Sequence, residues 1–486
     1  MRLTRVPTIA LVVVVGCMPR TPYIDGMAAA PAAPNRLWRA PQTARAADSL
    51  GASPAIPSDI ATRANTLTLA DAVELSLRNN PATRVSWAQA RATADAYAIA
   101  RTTYVPTVNG VISDGRSDPP GGGETAGGLR TSYGASLSLA YLLFDFGGRS
   151  GTVASARNSA FADAYTHNRV VQTTVLQVEQ GYFGYVGARA LLEAQRVAVR
   201  EAQASYDAAR ARDSAGLATI ADALQARTAL AQAQLQLQWT EAQLQTARGA
   251  LALALGVPPT SAWDVADGPN DVCVGVIASS ADALIDVALR ARPDLQAARA
   301  TAAAARSDVR VARSAMLPSL ALSAGDGYTH STLGALAGRN YTVSVAVQIP
   351  LIDGGGKAYG VARARALADA AAAQAAVQRQ TVIYDVYTAY YDLKTATQQV
   401  ETSDELLTSA TASMRAARAR YTSGVGSIID LITAQAALAN AGAQQAQSRW
   451  FWAQALARLA FTSGTLDTSG RSALTVQRDA VPPSPR

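Results

Sequence analysis

The sequence predicts a mainly α protein, a duplicated repeat of long coiled-coil helices that carries four strands of a membrane β-barrel. Three observations predict it. The chain of 486 residues writes the same order of segments twice. Each copy holds a proline-free run of 64 residues, Arg149–Arg212 and Lys357–Arg420, which as helix would reach about 96 Å. Each copy also holds strict alternation of apolar and polar residues over the length of a tilted membrane-spanning strand.

The elements follow in chain order. Arg2 and Arg5 precede a short apolar core, Ile9 to Val15, too short to span a bilayer. Residues 1–16 read as a signal peptide. The motif "VVGC" resembles a bacterial lipobox, in which cleavage leaves Cys17 as the lipid-bearing first residue; an unmodified Cys in an ordinary signal peptide is the alternative. Met18, rather than Asp, permits passage to the outer membrane by that resemblance. Cys273 is then the sole remaining thiol, so no internal disulfide is available. Residues 17–64, rich in Pro and Ala, read as a lipid-anchored extended arm.

The duplication begins there. "LADAVELSLRNNPA" (69–82) answers "SADALIDVALRARPD" (280–294), and "TYVPTV" (103–108) answers "AMLPSL" (315–320). The offset between copies is 212 in these segments and 208 further on, so four residues are lost after Pro318. The repeats are assigned to 65–256 and 281–464, with a linker or equatorial segment at 257–280 and a disordered tail at 465–486.

Within the first repeat, helix is expected over 82–104, 149–212 and 219–255, with strands near 107–113 and 131–143. Within the second, helix is expected over 294–316, 357–420 and 427–462, with strands near 319–327 and 341–349. In "YGASLSLAYLL", Tyr133, Ala135, Leu137, Leu139, Tyr141 and Leu143 share one face and Ser136 and Ser138 the other. In "YTVSVAVQI", Tyr341, Val343, Val345, Val347 and Ile349 share a face opposite Thr342, Ser344 and Gln348. Four spanning strands cannot close on themselves, and lipid does not tolerate open edges, so the chain must oligomerise if they span.

The helix lengths carry a second inference. A shorter helix stacked on a returning one nearly matches the 64-residue run, which suggests two long helices beside two stacked pairs. Leu230, Leu237, Leu244 and Leu251 recur every seven residues. Ala226, Ala233, Thr240, Ala247 and Ala254 form a row of small residues, repeated as Ala434, Ala441, Ser448, Ala455 and Thr462. Such heptads mean close helix–helix contact, in a tube wall or in an ordinary antiparallel bundle.

Composition agrees. Charge is 16%, against roughly a quarter in soluble proteins, and 49% of residues are hydrophobic, with alanine dominant. The net charge of +7 is spread along the helices without a patch, which argues against nucleic-acid binding.

These features together resemble the TolC-like outer-membrane efflux channels, specifically the lipoprotein branch served by resistance-nodulation-division (RND) pumps. The residues that carry the resemblance span roughly 65–465: the duplication, the corners "LFDFGGR" (143–149) and "LIDGGGK" (351–357), and the turns "ARDSAGLATIAD" (211–222) and "ARYTSGVGSIID" (419–430). It implies a homotrimer with a twelve-strand barrel and a twelve-helix periplasmic tube. It also implies a periplasmic adaptor protein, an inner-membrane transporter of RND type, and an outer-membrane location. At the corners Asp145 and Asp353 can cap the long helices, while Gly147, Gly148, Gly354 and Gly355 let a strand bend into a helix. Gly216, Leu217, Gly424 and Val425 are the adaptor-contacting turns the resemblance implies. Asp430, and less strongly Asp222, are its periplasmic gate, three copies forming a ring that attracts cations. Thr433 and Gly426 depart from the acidic and basic residues of the family pattern, which thins that ring. The plain alternative for both aspartates is a helix start favoured by the dipole.

No catalytic or cofactor motif appears. The corner glycines do not read as a phosphate-binding loop, and His167 and His330 are isolated, on a helix face and in a surface loop respectively. No cofactor or metal is expected, and no enzyme activity. An outer-membrane duct of a type I protein secretion system, or a coiled-coil surface lipoprotein without a lumen, are the competing readings.

Overall fold

The computed structural model describes residues 58–117, 130–266, 276–277, 280–331, 338–466 and 476–477; Cys17, the expected lipid-attachment residue, and Cys273 lie outside them. The chain divides into two compact units, one built on Ala90–Ala160 and Ala304–Ala366, the other on the remaining described residues.

The first unit is centred on a four-stranded antiparallel sheet in the order β1-β2-β4-β5, with β1 Thr107–Ser117, β2 Arg130–Phe144, β4 Ser319–Ser331 and β5 Gly338–Gln348. Like faces meet across the ladder: Leu139 stands opposite Val108 and Ala324, and Leu322 opposite Val345. Ser323 and Ser344 share a 2.7 Å hydrogen bond on the polar side. β5 is exposed along its whole length, because among the described residues no layer covers this sheet. Among the described residues, edge strands β1 and β5 have no partner on their outer sides.

The strands outrun the alternation. β1 continues four residues past 113, and β4 four past 327. His330 therefore lies in a strand rather than in a loop, its ring 4.8 Å from that of Tyr133 across the ladder. Those extensions, "DGRS" and "YTHS", are largely polar, but ladder hydrogen bonds use the backbone and hold whatever the side chains are.

Six helices connect to this scheme as α3 Pro81–Thr102, α4 Gly148–Ser214, α5 Ile220–Leu255, α7 Pro293–Ser314, α8 Gly356–Thr422 and α9 Ile428–Ser463. Both α4 and α8 have 67 residues; both α5 and α9 have 36. None of the described helices is long and apolar enough to cross a membrane.

In the second unit the helical ends are short and capped. α1 covers Ser58–Ala61, α2 Leu69–Asn79 and α6 Ala281–Ala291. Thr68 and Asp71 form a capping box for α2, and Ser280 caps α6. The helix stacking expected from length is visible at two equivalent junctions. Gly256 (φ 68°) closes α5 against Asn79–Asn80, and Gly464 (φ 74°) closes α9 against Ala291–Arg292. Most of the small heptad row is buried as its spacing predicts: Ala226, Thr240, Ala254, Ala434, Ala441, Ser448 and Thr462 are buried, while Ala233, Ala247 and Ala455 are half-buried. Ser403 and Ser448 meet at 2.7 Å, a contact only small residues allow.

The described edges of the arm and the tail carry structure that composition does not predict. Ile60 and Leu67 are fully buried, and Leu67 bridges to Val265. Ile60 and Leu67 thus belong to the folded core with Trp263 and Leu466. Val476–Gln477 (β6) pairs with Val276–Ile277 (β3), so the tail assigned to disorder supplies a strand. Both segments are Pro- and polar-rich overall, which hid their few buried residues.

Candidate functional site

The first candidate region is the pair of strand-to-helix corners. After β2 the chain reaches Asp145, whose carboxylate accepts hydrogen bonds from the backbone N–H of Gly147 (3.3 Å) and of Arg149. After β5 the carboxylate of Asp353 accepts from Gly355 (3.0 Å) and Lys357 (2.9 Å). Each aspartate thus satisfies orphan donors of a 67-residue helix. The bond from Lys357 N–H holds the exposed Asp353 carboxyl below its usual pKa, slight desolvation opposing and Gly355 N–H assisting.

The glycines at these corners do different work. Gly147, Gly354 and Gly355 have positive φ, at 95°, 65° and 87°. Phe146 takes the place of Gly354 in the first copy and adopts φ 52° itself, its ring 4.7 Å from that of Phe144. Gly148 is instead buried against Ser314 of α7.

The second region is the pair of helix turns. Gly216 (φ 71°) and Gly424 (φ 79°) end α4 and α8 in the left-handed conformation. Leu217 N–H reaches back to Arg212 O (2.8 Å) and Val425 N–H to Arg420 O (3.1 Å), the Schellman arrangement. The turns present apolar side chains to solvent: Leu217 is 74% exposed and Val425 72%, with Ile220 and Ile429 beside them. Arg212 ties the two copies together, donating to Tyr421 O at 2.7 Å with its guanidinium over the Tyr421 ring.

Asp222 and Asp430 are each the third residue of a capping box. Asp222 accepts from Thr219 N–H (3.1 Å), and Asp430 from Ser427 N–H (3.3 Å). The helix-start role is therefore present in both. Asp430 is exposed and Asp222 half-buried.

A third constellation was not singled out from sequence. Arg292, buried between α6 and α7, donates Nε to Asp294 Oδ1 (3.0 Å) and Nη1 to Asp385 Oδ2 (2.9 Å). Arg169 approaches Asp294 at 3.7 Å, and Gln378 donates to it at 3.0 Å. Burial works against the Arg292 charge, and the two carboxylates more than offset it, so its pKa stands above the usual value. Burial likewise opposes ionisation of Asp294, but the Arg292 hydrogen bonds and the Arg169 charge hold its carboxyl below the usual range. The first copy has Asn80, Ala82 and Gln177 at the places of Arg292, Asp294 and Asp385. That loss of symmetry in "NPA" against "RPD" was the available signal.

His167 is buried with Nδ1 2.8 Å from Ser86 Oγ and its ring against Trp87. Burial pushes its imidazole down to about 4. The folded state therefore binds fewer protons than the unfolded chain between about pH 6.5 and 4, and stability falls as pH drops through that window. The loss is about 3 kcal/mol at the acid end, an upper figure. His167→Leu should lower stability slightly at neutral pH and flatten this slope; denaturant unfolding followed against pH checks it. Among the described residues no cluster of His, Cys, Asp and Glu could hold a metal ion.

Comparisons with known proteins agree over most of the chain. Residues 72–257 and 284–465 match the family described as outer membrane efflux protein. Protein CyaE of Bordetella pertussis is 32% identical over 391 residues, covering 77% of this chain and 79% of its own. Outer membrane protein OprJ of Pseudomonas aeruginosa is 26% identical over 372 residues, covering 75% and 77%. The crystal structure of the outer membrane protein VceC of Vibrio cholerae superposes with a TM-score of 0.73 at 20% identity, covering 82% of this chain and 96% of that one. The family match breaks between the two copies and resumes in the second, following the duplication. The chain belongs to the outer membrane efflux protein family of TolC-like channels, which are conduits rather than enzymes.

Proposed function

We propose that this chain is the outer-membrane component of a tripartite efflux system, a passive exit duct loaded by an inner-membrane RND transporter through a periplasmic adaptor. The observation that carries it is a sheet with two free edges whose strands continue through capped corners into helices of 67 residues. Three copies would join β5 of one to β1 of the next and give twelve strands, with the long and stacked helices forming the tube. Cys17 would add a lipid anchor to that hold. The test is reconstitution: the chain should run as an oligomer on an unheated detergent gel and conduct ions in a planar bilayer. Absence of conductance, with no chain in the outer-membrane fraction, would leave only a structural stalk.

In this reading the apolar turns meet the adaptor, because Leu217 and Val425 are too exposed to serve the fold. Leu217→Trp and Val425→Trp should cut efflux at least about tenfold at unchanged channel level, a loss of about 1.4 kcal/mol or more in docking. Substrate susceptibility and immunoblotting of the membrane fraction measure the two quantities. Asp430 would form the cation-binding ring. Asp430→Asn keeps an acceptor for Ser427 N–H and removes the charge, so it separates gate from cap. Divalent-cation block of single-channel current should weaken in Asp430→Asn and change less in Asp222→Asn, whose carboxylate is less exposed. Equal block in all three proteins leaves Asp430 a helix cap only.

A further inference from the structure

We propose that Arg306, Arg310 and Arg313 on α7 form a binding surface for the phosphate headgroups of anionic phospholipid, immediately beside the start of the membrane strands. Spacings of four and three place the three guanidiniums on one helix face, and all three residues are exposed. Another face of α7 is occupied, since Ser307, Val311 and Ser314 lie against Gly148 and Gly151 of α4. A second copy does not account for the arginine face either. α7 feeds β4, and β4 lies between β2 and β5 of its own chain. Added copies would join at the edges β1 and β5.

The charges on this face are available. Among the described residues, no carboxylate forms an ion pair with Arg306, Arg310 or Arg313. Arg310 makes one neutral hydrogen bond, to Ser307 Oγ at 3.1 Å. The nearest acid in sequence, Asp308, falls on the opposite side of the helix. Position then selects the partner. Arg313 precedes Ser319, the first residue of β4, by six residues, which span at most about 20 Å. Between them Met316 and Leu317 are 47% and 42% exposed. Apolar side chains next to the strand, with unpaired guanidiniums one to three turns below, match the order of hydrocarbon and phosphate across a membrane interface. A water-filled lumen would give the exposed Leu317 no such counterpart. Guanidinium binds phosphate through paired N–H donors, so arginine suits this ligand better than a point charge. The first copy has Ala94, Ala98 and Arg101 at the matching places, so the surface belongs to the second repeat alone.

The inference rests on the reading that the four strands span the membrane, and the test separates the two. The full-length assembly is reconstituted in nanodiscs of phosphatidylcholine, alone or mixed with phosphatidylglycerol, and re-extracted in mild detergent. Lipid retained per chain is measured by mass spectrometry, and conductance of the same preparation in a bilayer. Wild type should retain phosphatidylglycerol at least about threefold over phosphatidylcholine, a preference that falls as salt rises. Arg306→Gln/Arg310→Gln/Arg313→Gln should lose that preference while still conducting; the corresponding triple Lys variant should keep part of it. Should the triple Gln variant fail to assemble, Arg310→Gln alone should lower retention measurably. An unchanged preference in any Gln variant that assembles overturns the proposal. So does full competition by inorganic phosphate, or a variant that alters only the cation-to-anion selectivity of the current. Conductance without lipid preference in wild type sinks this inference alone; no conductance sinks the channel reading.

Discussion

Gly148→Val is expected to abolish the heat-resistant oligomer, whereas Gly356→Val, the same change at the equivalent corner, leaves it nearly intact. The two glycines occupy matching places at the start of α4 and α8, and neither has a positive φ. Their surroundings decide the outcome. A Cβ on Gly148 would lie 2.5 Å from Ser314 Oγ and 2.8 Å from Asp145 Oδ2. Ser314 could rotate aside, but it hydrogen-bonds Val311 O at 2.8 Å, and the Asp145 oxygen is the one that caps Arg149 N–H. Relief of the clash therefore means loss of the cap or separation of α4 from α7. Overpacking costs about 1–3 kcal/mol and loss of a cap about 1 kcal/mol more. Nothing lies within 4 Å of the corresponding position on Gly356. Band intensity on unheated gels, normalised to total chain, gives the comparison. Equal tolerance of both substitutions would mean that the α4–α7 contact at the corner is not retained in the assembly.

Asp294→Ala is expected to cost about 3–5 kcal/mol, because it strips its main partner from a guanidinium that is 2% exposed. Asp385, 32% exposed and bonded to one Nη alone, cannot replace the lost bidentate geometry. Arg292→Met combined with Asp294→Leu should recover most of the loss, since it removes both buried charges together. Acid should mimic the single mutant. The folded-state pKa of Asp294 is depressed, so its contribution is fully present above the unfolded value near 3.9 and is lost as pH falls through the folded one. The window lies below about pH 4 and is distinct from the higher one set by His167. Heat dissociation of the assembly, measured for wild type, Asp294→Ala and the double variant, tests the ordering. A double variant no better than Asp294→Ala would show that specific geometry, not uncompensated charge, is what the cluster supplies.

What was legible in the sequence was whatever repeats locally. Alternation placed the central residues of β2 and β5, because a face period of two survives in any sheet. Freedom from proline placed both long helices, and the heptad of small residues marked positions most of which are buried. The aspartates of the corners and turns were legible because a cap acts within four residues. The misses share the opposite character. Strand extensions through "DGRS" depend on a partner strand, and the ordered segment around Ile60 depends on Trp263 and Leu466 far along the chain. The Arg292 cluster joins residues 93 positions apart in sequence, and nothing local announces that they meet. Gly148 and Gly356 read identically in sequence and differ only in what the fold brings near them.

In the proposed barrel, strands β1 and β5, unpartnered among the described residues, also constrain the order in which this protein can be made. Each offers a row of backbone N–H and C=O groups that hydrocarbon cannot satisfy, at several kcal/mol per group. A single chain that entered the bilayer ahead of its neighbours would be driven back out. Docking and membrane entry must then be one concerted event, with a rate that rises more steeply than linearly with the local density of chains. A modest fall in synthesis would reduce finished pores out of proportion, and a chain with one defective edge would withdraw its intact companions from the population with it.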